Sequence, residues 1–98
     1  MQYPESMKPG FTGEKQFVEL NGDAIWEEVC DIVPTGTRVL VAEIAPRLKT
    51  LRGYAPRIQK NYLSAVLKCV YANWEEKQKY EIPPPFRKTS SRIQAFIM

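Results

Sequence analysis

Between Ala55 and Trp74 apolar side chains return at the helical period with no internal glycine beyond the start, and the only proline, Pro56, falls in the first turn. Ile58, Tyr62, Ala65, Val66, Cys69 and Val70 share one face, which Leu63, Leu67, Tyr71 and Trp74 widen. The spacing predicts a long helix over 55–74. A shorter helix is predicted over 24–33, where Ile25, Trp26, Val29, Cys30, Ile32 and Val33 are the apolar positions. Asp23 takes the N-cap position there, Glu27 and Glu28 sit in turns whose dipole favours carboxylates, and Pro34-Thr35-Gly36 stops the helix.

Between these two, Thr37 to Val41 starts as a strand, and Ile44, Leu48 and Leu51 then take helical spacing, so a short second helix is expected over 42–51. Proline is cheap only in the first turn, so with Pro46 inside it this helix either begins late or bends there. Gly53 ends it. Ahead of the first helix, Gln16 to Leu20 reads as a short strand or lead-in that packs Phe17 and Leu20, closed by the turn signal Asn21-Gly22. Residues 1–15, with Pro4, Pro9, Gly10 and Gly13, read as a flexible N-terminal arm that carries none of the core, and 16–98 as one domain. Beyond the charged stretch Glu75 to Lys79, Tyr80 and Ile82 end one strand and Ile93 to Ile97 form another. Pro83-Pro84-Pro85 cannot continue a ladder, so a hairpin is expected with its tip at Phe86 to Arg92.

Charge changes the picture once it is divided along the chain. Residues 1–37 carry two cations against seven carboxylates, a net of −5, whereas residues 38–98 carry twelve Lys and Arg against four Glu, a net of +8. A basic C-terminal two-thirds is the footprint of a polyanion binder. It converges on one stripe of the long helix, Arg57, Lys60, Asn61, Ser64 and Lys68, with Gln59 beside it and no carboxylate before Glu75. Asn and Gln can pair bidentately with adenine and Arg and Lys with guanine, while the cations neutralise phosphates.

The remaining composition narrows the chemistry. At 98 residues, with 44% hydrophobic and 26% charged, the chain has one globular domain's worth of material. It has no His, and its two cysteines, Cys30 and Cys69, sit on apolar helical positions where buried free thiols are expected. The adjacent carboxylates Glu27-Glu28 and Glu75-Glu76 point in different directions on a helix and cannot share a substrate atom. No metal-ligand spacing or glycine-rich phosphate loop is present, so the expectation is a non-enzymatic protein with no cofactor and no metal. No run approaches the length of a membrane helix and no signal-like apolar stretch opens the chain, so a cytoplasmic location without membrane contact is expected.

In element order, with a strand-like lead into the second helix, a long third helix and a basic-tipped hairpin, the chain resembles a winged helix-turn-helix DNA-binding domain over about Asp23 to Ile97. Val41 to Leu48 is similar to the segment before the turn, and Ala55 onward to the recognition helix. The linker Arg52-Gly53-Tyr54-Ala55-Pro56 is longer than the tight turn of the strictest members. The resemblance implies an α+β, mostly helical fold with three helices and a C-terminal β-hairpin wing. It would put helix 55–74 in the major groove through Arg57, Gln59, Lys60, Asn61 and Ser64, with Arg52 and Lys68 beside them. Arg87, Lys88 and Arg92 would then meet the backbone or minor groove. The function expected is double-stranded DNA binding, as a transcriptional regulator or a phage- or plasmid-borne accessory factor. The acidic first third would face a second subunit or another protein. The alternatives are a protein-interaction module, marked by exposed Trp26, Trp74, Tyr80 or Phe86, and an RNA binder, marked by aromatic stacking on a sheet.

Overall fold

The computed structural model describes residues 1–34, 38–78, 87–88 and 95–97. Two long helices carry it: α1, Glu14–Ile32, and α3, Pro56–Gln78. They pack on each other through Val18, Ile25 and Val29 on one side and Leu63, Val66 and Leu67 on the other, all at 1% exposure or less. Between them come β1, Arg38–Leu40, the single turn α2, Val41–Ile44, and two 3-10 turns, Ala45–Arg47 and Lys49–Leu51. This middle stretch contributes Val41, Ile44, Ala45, Leu48 and Leu51 to the same core.

α1 begins ten residues earlier than its apolar pattern indicates, so Gln16 to Leu20 is helical, neither a strand nor a lead-in. Gly13, at φ +85°, turns the chain into the helix, and its carbonyl accepts the Phe17 N–H at 2.9 Å. The Asn21-Gly22 turn signal is overridden because Met1 lies on Gly22: a Cβ there would stand 2.9 Å from the Met1 Cβ. Glycine in mid-helix costs about 1 kcal/mol relative to alanine, and here it is what lets the arm approach. With the early start, Glu27 and Glu28 fall in the C-terminal half of α1, away from the positive end of its dipole.

The arm expected to be flexible is packed into this fold. Tyr3 is 5% exposed within the core and Pro4 is buried. The Tyr3 hydroxyl donates to the Glu14 carboxylate, which also accepts the Gly10 N–H at 3.1 Å. On α3, Cys69 Sγ and Asn73 Nδ2 donate to the Gln2 carbonyl at 3.2 and 2.8 Å, and Ser6 donates to Glu76. Among the described residues every buried side-chain nitrogen and oxygen has a partner.

The expected winged helix-turn-helix fold with a C-terminal β-hairpin wing is not what forms. The second helix is one turn long: Pro46, in the first 3-10 turn, has no N–H to extend the ladder, and Leu48 adopts an extended backbone at φ −83°, ψ 125°. With α2 reduced to a single turn, the pair of helices joined by a tight turn that the resemblance implies is not formed. The expected hairpin had arms at 80–82 and 93–97 around a tip at 86–92, but Arg87 and Lys88 lie instead in a two-residue strand, β2. β2 pairs with β3, Ala95–Ile97, and β3 also pairs with β1, each over two or three residues in antiparallel register. Pairings this short do not make an independently stable wing, and the fold is a helical one built on α1 and α3. Residues 79–86 and 89–94, including Arg92, Tyr80, Phe86 and the proline triplet, lie outside the described residues.

Candidate nucleic-acid interface

The basic residues gather where the chain passes from the 3-10 turns into α3. From Ile44 to Trp74, thirty-one residues contain no carboxylate and six cations, Arg47, Lys49, Arg52, Arg57, Lys60 and Lys68, all exposed. Alternation along this segment has a direct cause. Ile44, Leu48 and Leu51 are buried at 2%, 1% and 0%, and these anchors turn Arg47, Lys49 and Arg52 outward between them. Gly53 at φ +118° then reverses the chain, a conformation that a side chain would strain, and Pro56 opens α3 where its missing N–H is not needed.

Two contacts hold the segment to its neighbours. The Glu28 carboxylate of α1 accepts the Lys49 N–H at 2.6 Å, the Thr50 N–H at 3.2 Å and the Thr50 hydroxyl at 2.6 Å, capping the second 3-10 turn from outside. Burial pushes the Glu28 carboxyl up, but the Thr50 hydroxyl, the two N–H groups and the Lys49 charge outweigh it and hold it below its ordinary value. From α3, Gln59 Nε2 donates to the Leu51 carbonyl at 3.0 Å.

Burial decides the fate of two expected site residues. Gln59 is buried at 8% exposure with its amide committed to the backbone, and Ser64 is buried at 5%, so neither is placed to read a base. The five residues Leu63 to Leu67 are all buried, which means that α3 is covered on every side at its middle. Its expected groove-facing stripe is therefore broken in two. Arg57, Lys60 and Asn61 are exposed at the N-terminal end next to Arg52, and Lys68 is exposed immediately after the buried stretch. Among the described residues, none of Arg52, Arg57, Lys60 and Lys68 is in an ion pair. Arg87 and Lys88 lie in β2.

Two apolar side chains share the exposed end with the cations. Ile58, placed on the inward face by its spacing, is 41% exposed, and Tyr54 is 42% exposed. Tyr54 is the outermost ring of an aromatic cluster: it meets Phe17 edge-on at 5.9 Å and Tyr62 at 5.4 Å, while Phe17 and Tyr62 stack at 3.6 Å and Phe11 closes on Tyr62 at 5.4 Å. Sequence reasoning missed Glu28 and Tyr54. For Glu28 no local signal exists, whereas Tyr54 was visible as an aromatic in a loop rich in Arg.

The cysteines divide. Cys69 is buried beneath the arm, and burial pushes its thiol up to about 11, with the nearby N-terminal ammonium and Asn73 opposing. Cys30, expected to be buried, is exposed on α1, with its thiol raised by partial burial and by Asp31. No group of three or more His, Cys, Asp or Glu among the described residues could hold a metal ion, and no helix among them is long and apolar enough to cross a membrane. Compared with protein-family models, curated proteins and solved structures, the chain matches none.

Proposed function

We propose that this chain is a non-enzymatic DNA-binding protein, with a regulatory or accessory role in transcription, that grips the sugar-phosphate backbone with the basic end of α3. The observation that carries this reading is the thirty-one-residue stretch with six exposed cations and no carboxylate. Arg52, Arg57 and Lys60 supply phosphate contacts, and the N-terminal turn of α3 adds the positive end of its dipole. Asn61, one turn in, is the exposed residue able to pair with an adenine edge. Lys68 extends the contact along the same side. With Gln59 and Ser64 buried, the contact rests on the cations and Asn61 and not on a continuous base-reading stripe along α3.

A salt series tests this. Six phosphate contacts would lower affinity by roughly three orders of magnitude between 50 and 200 mM salt. The double variant Arg57→Ala, Lys60→Ala should reduce the slope of log affinity against log salt by about two. A folded double variant with undiminished affinity removes this end of α3 from the interface.

A second reading, a protein-interaction module, has one observation in its favour. Leu20 is 74% exposed beside a shallow hollow lined by Pro9, Phe11, Gln16 and Glu19, on the α1 face that carries Glu19, Asp23, Glu27 and Asp31. Trp26 and Trp74, whose exposure would have supported it, are both partly buried. Absence of DNA binding even at low salt would transfer the weight to this face.

A further inference from the structure

We propose that Tyr54 is a base-stacking platform, and that the DNA this site prefers is single-stranded, with its bases accessible; the inference rests on the DNA-binding reading above. A surface that meets only duplex phosphates gains nothing from apolar groups at its centre, because phosphates and their counterions are best met by charge. Here Tyr54 and Ile58 stand 42% and 41% exposed, flanked in the chain by Arg52, Arg57 and Lys60. Cations that track a backbone, interleaved with an aromatic face, are the combination by which single strands are held, and stacking tolerates any base because every base has a π-face.

Packing supports the same role. Tyr54 touches Phe17 and Tyr62 edge-on, at interplanar angles of 88° and 77°. Those contacts hold the ring from the protein side and leave it 42% exposed, within two to six residues of the exposed Arg52, Arg57 and Lys60. The loop that bears it is fixed at both ends: the Tyr54 N–H donates to the Leu51 carbonyl at 3.2 Å, and Gln59 Nε2 donates to that same carbonyl at 3.0 Å. A platform held this way loses little conformational freedom when a base stacks on it. Charge complementarity names the occupant: an apolar pair facing a protein partner would not need three exposed cations around it and no carboxylate within the stretch.

Fluorescence anisotropy with three labelled probes of equal length tests the proposal: a single-stranded oligodeoxynucleotide, the same phosphodiester chain made wholly abasic, and the duplex. The wild-type protein should bind the base-bearing strand about tenfold more tightly than the abasic one, and more tightly than the duplex. Tyr54→Leu retains apolar packing against Phe17 and Tyr62 but has no π-face. It should lower affinity for the base-bearing strand to the abasic level and leave abasic affinity unchanged, while Tyr54→Trp should restore the preference. Equal wild-type affinity for the base-bearing and abasic strands, or a preference for duplex, overturns the stacking role while leaving the phosphate contacts standing. If none of the three probes binds, the DNA-binding reading itself has failed.

Discussion

Two irregular segments of this protein look alike in sequence and do opposite things. Residues 1–13 and residues 45–55 both mix proline and glycine with charged and aromatic residues, and both lie against the α1–α3 pair. The first sends Tyr3 into the core and covers Gly22 and Cys69. The second sends Leu48 and Leu51 into the core and leaves Arg47, Lys49, Arg52 and Tyr54 outside. The difference lies in the spacing of apolar anchors. Leu48 and Leu51 continue the three-to-four-residue rhythm begun at Ile44, so that Arg47, Lys49 and Arg52 are turned outward around them, whereas the arm is held by buried Tyr3 and Pro4, by partly buried Met1, Met7 and Phe11, and by a set of hydrogen bonds. An irregular segment becomes a surface or a covering according to where its anchors fall.

The largest expected effects come from removing those anchors. Leu51→Ala, at a site with no exposure, should cost about 2–5 kcal/mol in urea unfolding, and a loss much below that range would mean that the 3-10 segment is not anchored as described. Tyr3→Ala should cost about 3 kcal/mol by the same measurement, since it deletes a buried ring and leaves the buried Glu14 carboxylate without its hydroxyl donor. An arm that contributed nothing to the core would give no change at all.

Glu28 sharpens the comparison from the other side, because it is the polar clasp of the second segment. Glu28→Gln should cost about 1–2 kcal/mol through weakened bonds to Lys49 and Thr50. Its folded-state carboxyl is held below the ordinary value of 4.5, so its contribution is fully present above that value and is lost as pH falls through the lowered one. Stability measured from pH 6 downward should therefore fall less steeply in the Gln variant than in the wild type. The smallest expected effect is that of Gly22→Ala. Alanine favours the helix by about 1 kcal/mol but meets the Met1 Cβ, so net stability should move by less than about 1 kcal/mol. Cys69, covered by the same arm, should become more reactive toward a thiol reagent, although in the wild type exposed Cys30 reacts first.

How much was legible can be followed residue by residue. The uninterrupted apolar period of Leu63 to Val70 announces α3, because a helix needs no partner to define its repeat. Pro46 and Pro56 mark a break and a start, since a missing N–H acts locally wherever the residue sits. The missing carboxylates of the basic stretch are likewise a property of the sequence alone. Gly22 inside α1, the docked arm, the exposure of Ile58 and the burial of Gln59 and Ser64 were not legible. Each depends on a surface supplied by residues eight or more positions away: Met1 for Gly22, Leu51 for Gln59, Glu14 and α3 for the arm.

The sequence by itself determined where helices run strongest, where they break, and that six cations fall in one stretch free of carboxylates, because periodicity, proline geometry and charge are local. Only the tertiary structure decided which polar residues were spent on holding the fold and which were left to meet a ligand. That choice depends on which neighbours remove a side chain from water, and those neighbours come together only when α1, the arm and the 3-10 turns have packed around α3.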